Sequence, residues 1–204
     1  GNSLIVSAFS TLGAIALSLP AGYALAKFQF RGRNDVGFFF LSLRILPPIS
    51  VAIPLFLIWR DLNLLDTQIS LIIPYIIMNL PFAVWILTGF FAEIPTEMEE
   101  AAELDGCGRV TAFVRVVMPL ALPGIVATAI FSFITSWNEL LFAYIFTRDK
   151  ASTIPVFLTT FMQQEGTQYG QISAGSIMAV VPVIILALSI QKYLVRAMTL
   201  GAVK

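Results

Sequence analysis

Apolar residues run through this chain in long blocks separated by short polar stretches. Five blocks are long enough to cross a bilayer, which takes about 20 residues in a helix: 4–26, 36–59, 69–92, 119–147 and 172–190. The first, third and fifth carry no charged side chain, the second carries only Arg44 and the fourth only Glu139. Lipid offers no partner to an open backbone group, so each block is predicted helical. The fold class expected is an all-α membrane protein, a polytopic helical bundle with five transmembrane helices. Prolines recur inside the blocks (Pro20, Pro47, Pro48, Pro54, Pro74, Pro81, Pro123, Pro182). Each removes a helical hydrogen bond and favours a kink, and the Pro47-Pro48 pair predicts a break.

One polar stretch, 93–118, interrupts the pattern. Six of the twelve acidic residues lie in it: Glu93, Glu97, Glu99, Glu100, Glu103 and Asp105. Thr96 is placed as a helix N-cap, with Glu99 three residues on to complete a capping box. Glu97, Glu99 and Glu100 fall in the first turn, where the helix dipole favours a negative charge. Gly106 is placed to end this helix in a left-handed conformation. Val110, Phe113, Val114 and Val117 follow at helical spacing and predict a second helix with one apolar stripe, and Pro119 punctuates the chain. A helix–Gly–helix elbow between two spans suits docking into another protein.

Basic residues set the expected orientation. Lys27, Arg31 and Arg33, then Arg109 and Arg115, then Lys192, Arg196 and Lys204 share one side, against Arg60, Arg148 and Lys150 on the other. That excess puts the elbow and a C-terminal tail, 195–204, in the cytoplasm. The chain then starts outside, and with the first apolar block opening at Leu4 a further span is expected before Gly1. No signal peptide is visible.

Composition narrows the chemistry. Apolar residues make up 58% of the 204 and charged ones 12%, far from the soluble average. Twelve basic and twelve acidic residues cancel, so charge gives no indication of a nucleic-acid partner. There is no histidine and one cysteine, Cys107, which excludes a His triad, a His metal site, an internal disulfide and a Cys-cluster metal site. No G-x-x-x-x-G-K-[ST] phosphate loop is present, so this chain is not expected to hydrolyse ATP. Gly13 and Ala16 in the first block, and Ala174, Gly175 and Ser176 in the last, suit close helix packing.

Glu100-Ala101-Ala102, then Gly106, Val116 and Met118-Pro119, resembles the EAA motif of the membrane-spanning subunits of binding-protein-dependent ABC importers; Val116 and Met118 stand where the pattern has Ile and Leu. The stretches at 23–32 (YALAKFQFRG), 44–48 (RILPP), 64–67 (LLDT), 137–139 (WNE) and 194–204 (LVRAMTLGAVK) are similar to the carbohydrate-uptake branch. The resemblance implies a type I importer permease with six spans, the first absent here, no cofactor on this chain, and ATP and Mg on two partner ATPase subunits. It implies a second permease subunit and an extracytoplasmic solute-binding protein as further partners. It also implies that the elbow, with Glu100, Ala101, Ala102, Asp105, Gly106 and Pro119, is gripped by the ATPases and couples ATP hydrolysis to uptake of a sugar or oligosaccharide.

Candidate pathway or gate residues are the charges and polar groups inside spans: Arg44, Asn79, Trp137, Asn138 and Glu139. Charges at such depth face the bundle interior or water. Arg44 and Glu139 can line a route, pair across the bundle, or snorkel from a span end. An aromatic face with amide donors, such as Trp137 with Asn79 and Asn138, suits a sugar ring, and interfacial Trp is also common for other reasons. Two other functions remain open at this stage. A stand-alone secondary transporter or channel would use Arg44 and Glu139 as an ion relay. A membrane-embedded enzyme would need a convergent acid, base and nucleophile, which the chain does not offer.

Overall fold

The computed structural model describes the backbone of residues 1–163, 166–167 and 169–201, and the side chains of 1–161 and 169–189. Helices dominate. α1 spans Asn2–Lys27, α2 Arg33–Ser42, α3 Pro48–Asp61, α4 Ile69–Glu93 and α5 Glu97–Leu104. α6 (Arg109–Ala112) runs through a π turn, Phe113–Val117, into α7 (Met118–Leu120). α8 (Leu122–Trp137), α9 (Leu141–Phe146), α10 (Ile154–Thr159) and α11 (Tyr169–Gly201) complete the order. Met162–Gln163 and Gly166–Thr167 form a minimal antiparallel pairing between α10 and α11.

α1, α4 and α11 are each long and apolar enough to cross a membrane. Two bent pairs qualify only if each is taken as one span: Arg33–Ile45 with Pro48–Asp61, bent by 86°, and Arg109–Leu120 with Leu122–Trp137, bent by 75°. The block over 36–59 is two helices, with the break where the Pro47-Pro48 pair predicts it. The break falls just before Pro48, because Pro47 leaves the helical region at ψ 127° and a residue before proline is pushed to extended backbone. The block expected over 119–147 is likewise divided, with residues 138–140 separating α8 from α9. α11 continues without interruption to Gly201. The side chains of the basic tail residues Lys192, Arg196 and Lys204 lie outside the described residues.

α1 packs along α4, and α8 touches both. Six of the ten buried residues of α1 are small, Ser3, Ser7, Ser10, Ala14, Ser18 and Gly22, and the others are Val6, Thr11, Ile15 and Leu25. Gly13 also belongs to the packing, since a Cβ there would stand 2.5 Å from Ile76, and a Cβ on Gly175 would stand 2.4 Å from Leu158. Ala16 and Ala174 are exposed on this chain and Ser176 is half-buried, so close packing within the chain is seen at the glycines. Two apolar cores result. Val6, Trp59, Leu71, Tyr75, Phe142 and Phe146 fill the end where α1 begins, called the distal end below. Leu87, Phe91, Ile94, Val117 and Ala121 fill the opposite end, beside the elbow.

Candidate functional site

The elbow is built from the predicted pieces, with two corrections. α5 ends in a Schellman arrangement: the Cys107 amide donates to the Ala102 carbonyl (3.0 Å) and the Gly106 amide to the Glu103 carbonyl (3.0 Å). Gly106 has φ 87°, where a side chain would be strained, and the space around it is open. The first correction concerns the capping box. Thr96 is already helical (φ −67°, ψ −27°) and makes no side-chain cap, and Glu99 turns into the molecule. Its carboxylate accepts from the Tyr23 hydroxyl and lies 2.9 Å from the Lys27 ammonium. Lys27 also donates to the Ile94 carbonyl at 2.6 Å, and its contact with Glu99 is ionic, off the line of a hydrogen bond.

The second correction concerns the stripe. Val117 is fully buried, whereas Val110 is 77% exposed and Val114 52%. The π turn between Phe113 and Val117 changes the helical register, so one regular stripe cannot form. Proline at 119 accounts for that turn. It has no N–H for the carbonyl four residues back and its ring crowds that carbonyl. The wider turn relieves the crowding, and the Met118 amide donates to Phe113, five residues back. Phe113 packs on Tyr23, ring centroids 4.5 Å apart.

The elbow residues divide by face. Glu97, Glu100, Ala101, Asp105 and Gly106 are exposed, as are Leu104 (90%) and Met98. Ala102 is buried within the chain and serves the seating of α5. The outward surface is therefore carboxylates around an apolar centre of Leu104 and Val110.

A cavity of about 390 Å³ opens between α3, α4 and α8, lined by Arg44, Met78, Asn79, Phe82, Phe131 and Thr135 among others. The Arg44 guanidinium sits 4.7 Å from the centre of the Phe82 ring, a cation–π geometry. Asn79 is buried and donates to the Tyr75 carbonyl (2.8 Å) and to Ser136 Oγ (2.9 Å), while Ser10 Oγ donates to the same Ser136 hydroxyl (3.1 Å). One polar node thus joins α1, α4 and α8. The other three candidates do not line this cavity. Trp137 is buried, stacks on Phe133 and donates its indole N–H to the Ala179 carbonyl, tying α8 to α11. Asn138 is exposed and donates back to the Ile134 carbonyl. Glu139 caps α9, accepting from the Phe142 amide (3.1 Å) and from the Tyr75 hydroxyl (2.7 Å). Arg44 and Glu139 form no ion pair.

The distal end holds a feature that sequence reasoning missed. Asp66, at φ 56°, accepts four backbone amides: Arg148 (2.9 Å), Asp149 (3.3 Å), Lys150 (3.1 Å) and Ala151 (3.1 Å). Burial alone would raise its pKa, but these amide donors outweigh it and hold the carboxyl down at about 2. Beside it Asn2 donates to the Lys150 and Ser152 carbonyls (2.8 and 3.1 Å) and accepts from Gln68 (3.0 Å), and the Ile154 amide donates to Ser3 Oγ (2.7 Å). The start of α1 and the loops after α3 and α9 are laced together.

Residues 18–200 match the family of binding-protein-dependent transport system inner membrane components. The trehalose transport system permease protein SugB of Mycobacterium tuberculosis is 40% identical over 206 residues, covering 100% of this chain and 75% of that protein. The trehalose/maltose transport system permease protein MalG of Thermococcus litoralis is 36% identical over 205 residues, covering 100% and 74%. Among solved structures, a bacterial ABC transporter involved in import of the acidic polysaccharide alginate aligns with TM-score 0.73 at 26% identity, over 94% of this chain and 72% of that one. A bent-helix bundle with a helix–Gly–helix elbow, a family match over most of its length and this shared fold agree: the chain belongs to the binding-protein-dependent transport system inner membrane component family, the permease subunits of ABC importers, and has their type I fold.

Proposed function

We propose that this permease subunit couples ATP-driven closure of two partner ATPase subunits to the uptake of a sugar or oligosaccharide, with a second permease forming the other half of the route and an extracytoplasmic solute-binding protein delivering the solute. The observation that carries the coupling is the elbow surface. Leu104, 90% exposed, and Val110 stand among Glu97, Glu100 and Asp105 on a turn held by Gly106. An apolar centre ringed by charge fits a protein cleft better than bulk water. Glu100 offers its carboxylate to a basic group there, Ala101 permits close approach, and Gly106 and Pro119 set the angles of the elbow. The ATPases, with their ATP and Mg, supply the energy. With the elbow side cytoplasmic, as the basic residues indicate, the Asp66 end meets the solute-binding protein.

The names of the relatives, trehalose and maltose importers, support the solute class. Arg44 and Asn79 are the groups proposed to face the route, since both line the cavity. The rival reading, an ion relay between Arg44 and Glu139, loses support because Glu139 is committed to the α9 cap and to Tyr75.

The test is a Leu104→Cys variant in a Cys107→Ser background, with the full complex. A short thiol-to-amine cross-linker should join it to an ATPase subunit. Gly106→Pro should leave the subunit in the membrane and abolish uptake while ATP hydrolysis continues. An elbow that never cross-links while solute still enters would overturn the coupling role.

A further inference from the structure

α1 is fastened by side chains at both ends, and each fastening leads to a different moving part. At its last turn Tyr23 and Lys27 hold Glu99 of α5, with side-chain exposures of only 10% for Lys27 and 12% for Glu99. At its first turn Asn2 and Ser3 hold the backbone of residues 150–154. The helix that carries both fastenings is 26 residues long, roughly 39 Å at the ordinary rise. The elbow is joined covalently to α4 and α8, which any flexible loop would also achieve. Burying a charge pair against a third helix is a different matter. Desolvated charges tolerate one geometry and resist separation, so α5 cannot tilt without moving α1 or breaking the pair.

The body of α1 suits this use. Six of the ten buried residues of its packed face are small, Ser3, Ser7, Ser10, Ala14, Ser18 and Gly22, beside Val6, Thr11, Ile15 and Leu25, so few large side chains must climb over a neighbour. Ser7 Oγ is buried on this face without a hydrogen-bond partner. Among the described residues, the cross-helix hydrogen bond from these six to another side chain is Ser10 to Ser136, a neutral hydroxyl contact that can re-form after a small shift.

We infer that α1 is a connecting rod: Glu99, held by Lys27 and Tyr23, passes displacement of the elbow along α1 to the distal loop around residues 148–154. Glu99 and Lys27 are positioning residues in this scheme, and Glu100 remains the group turned outward. The inference rests on the coupling role proposed for the elbow.

The test uses the full-length protein in its assembled complex, reconstituted in phosphatidylethanolamine–phosphatidylglycerol vesicles, with ATP and vanadate as the only effectors. A single reporter, Lys150→Cys in a Cys107→Ser background, is labelled with a membrane-impermeant maleimide before and after vanadate trapping. With native Lys27 and Glu99, trapping should change the labelling rate at least about fivefold. With Glu99→Gln, which keeps the size of the side chain, or with Lys27→Met, the change should fall below about twofold while ATPase co-purification and basal hydrolysis persist. Lys27→Arg keeps the charge and should restore the response. An unchanged response in Glu99→Gln or in Lys27→Met overturns the rod, as does a reporter that never responds in the native background. If the Leu104→Cys cross-link to the ATPase forms while Glu99→Gln still responds, the rod alone fails; if that cross-link never forms, the elbow reading fails beneath it.

Discussion

The two ends of the bundle are each held by a carboxylate, and they use it differently. At the elbow end, Glu99 is buried and meets a cation and a phenol, Lys27 and Tyr23, both from α1. At the distal end, Asp66 lies near the surface and meets no cation; four consecutive backbone amides, 148 to 151, satisfy it. Backbone donors hold a loop in one shape, because a nest of amides exists only when the chain is folded round the anion. A side-chain ion pair holds one rigid body against another and leaves the backbone of each unchanged. The distal clamp shapes a loop, and the elbow clamp joins two helices, α1 and α5.

The largest expected effect tests that contrast at the elbow. Lys27→Met leaves the Glu99 carboxylate buried without its cation, which should cost about 3 kcal/mol and lower the thermal midpoint in detergent. The double variant Lys27→Met/Glu99→Leu removes both desolvation penalties and should recover most of the loss. A double variant no more stable than Lys27→Met alone would mean that shape, and not charge, holds α5 to α1.

Asp66→Asn comes next. The amide keeps one acceptor oxygen and turns an NH2 group toward amide donors, so about 1–2 kcal/mol should go, limited by solvent at this site. The pH dependence has a definite sign. The folded pKa of Asp66 is depressed from 3.8 to about 2, so its stabilisation is fully present above about pH 4 and is lost as pH falls toward 2. Acid titration of thermal stability should show this loss in the native protein and not in Asp66→Asn. Equal acid sensitivity of the two would show that the amide nest contributes nothing.

Gly106→Ala sharpens the elbow side from the backbone. Open space surrounds the position, so no clash arises, and only φ 87° is penalised. A loss of about 1 kcal/mol is expected, and circular dichroism should show the helix content unchanged. No loss would mean that the turn relaxes freely and sets no angle.

How far this was legible in the sequence follows the range of each interaction. Hydropathy blocks and the Pro47-Pro48 break are local, and both are present. Gly106 and Pro119 were visible because each imposes a special backbone, although the π turn before Pro119 and its effect on the Val110–Val117 stripe were not. Glu99 carried a plausible local role as a capping residue. Its actual partner Tyr23 lies 76 residues away, a separation over which pattern says nothing. Trp137, Asn138 and Glu139 are adjacent in sequence, yet they serve α11, α8 and α9 separately, since a helix end turns successive side chains to different neighbours. Asp66 stood in a recognisable stretch, LLDT, with no hint that loop 148–151 would fold round it. Arg44 and Asn79 could be singled out as polar groups in apolar surroundings, and the fold brings both to one cavity.

The smallest expected effect isolates burial from geometry. Arg60 and Asp61, at the distal end, form an ion pair of 3.0 Å, close to the 2.9 Å of Lys27–Glu99, but their side chains are 58% and 67% exposed. Both charges stay hydrated in either state, the pair is screened by salt, and ordering two side chains opposes the attraction. Arg60→Ala should therefore change stability by less than about 0.5 kcal/mol, and that small change should vanish in 1 M salt. Lys27→Met should keep its penalty in the same salt, because ions do not reach the space between α1 and α5. If the two variants shift the thermal midpoint equally, or if salt erases both effects, distance alone decides the strength of these pairs, and the elbow is fastened no more firmly than any surface loop.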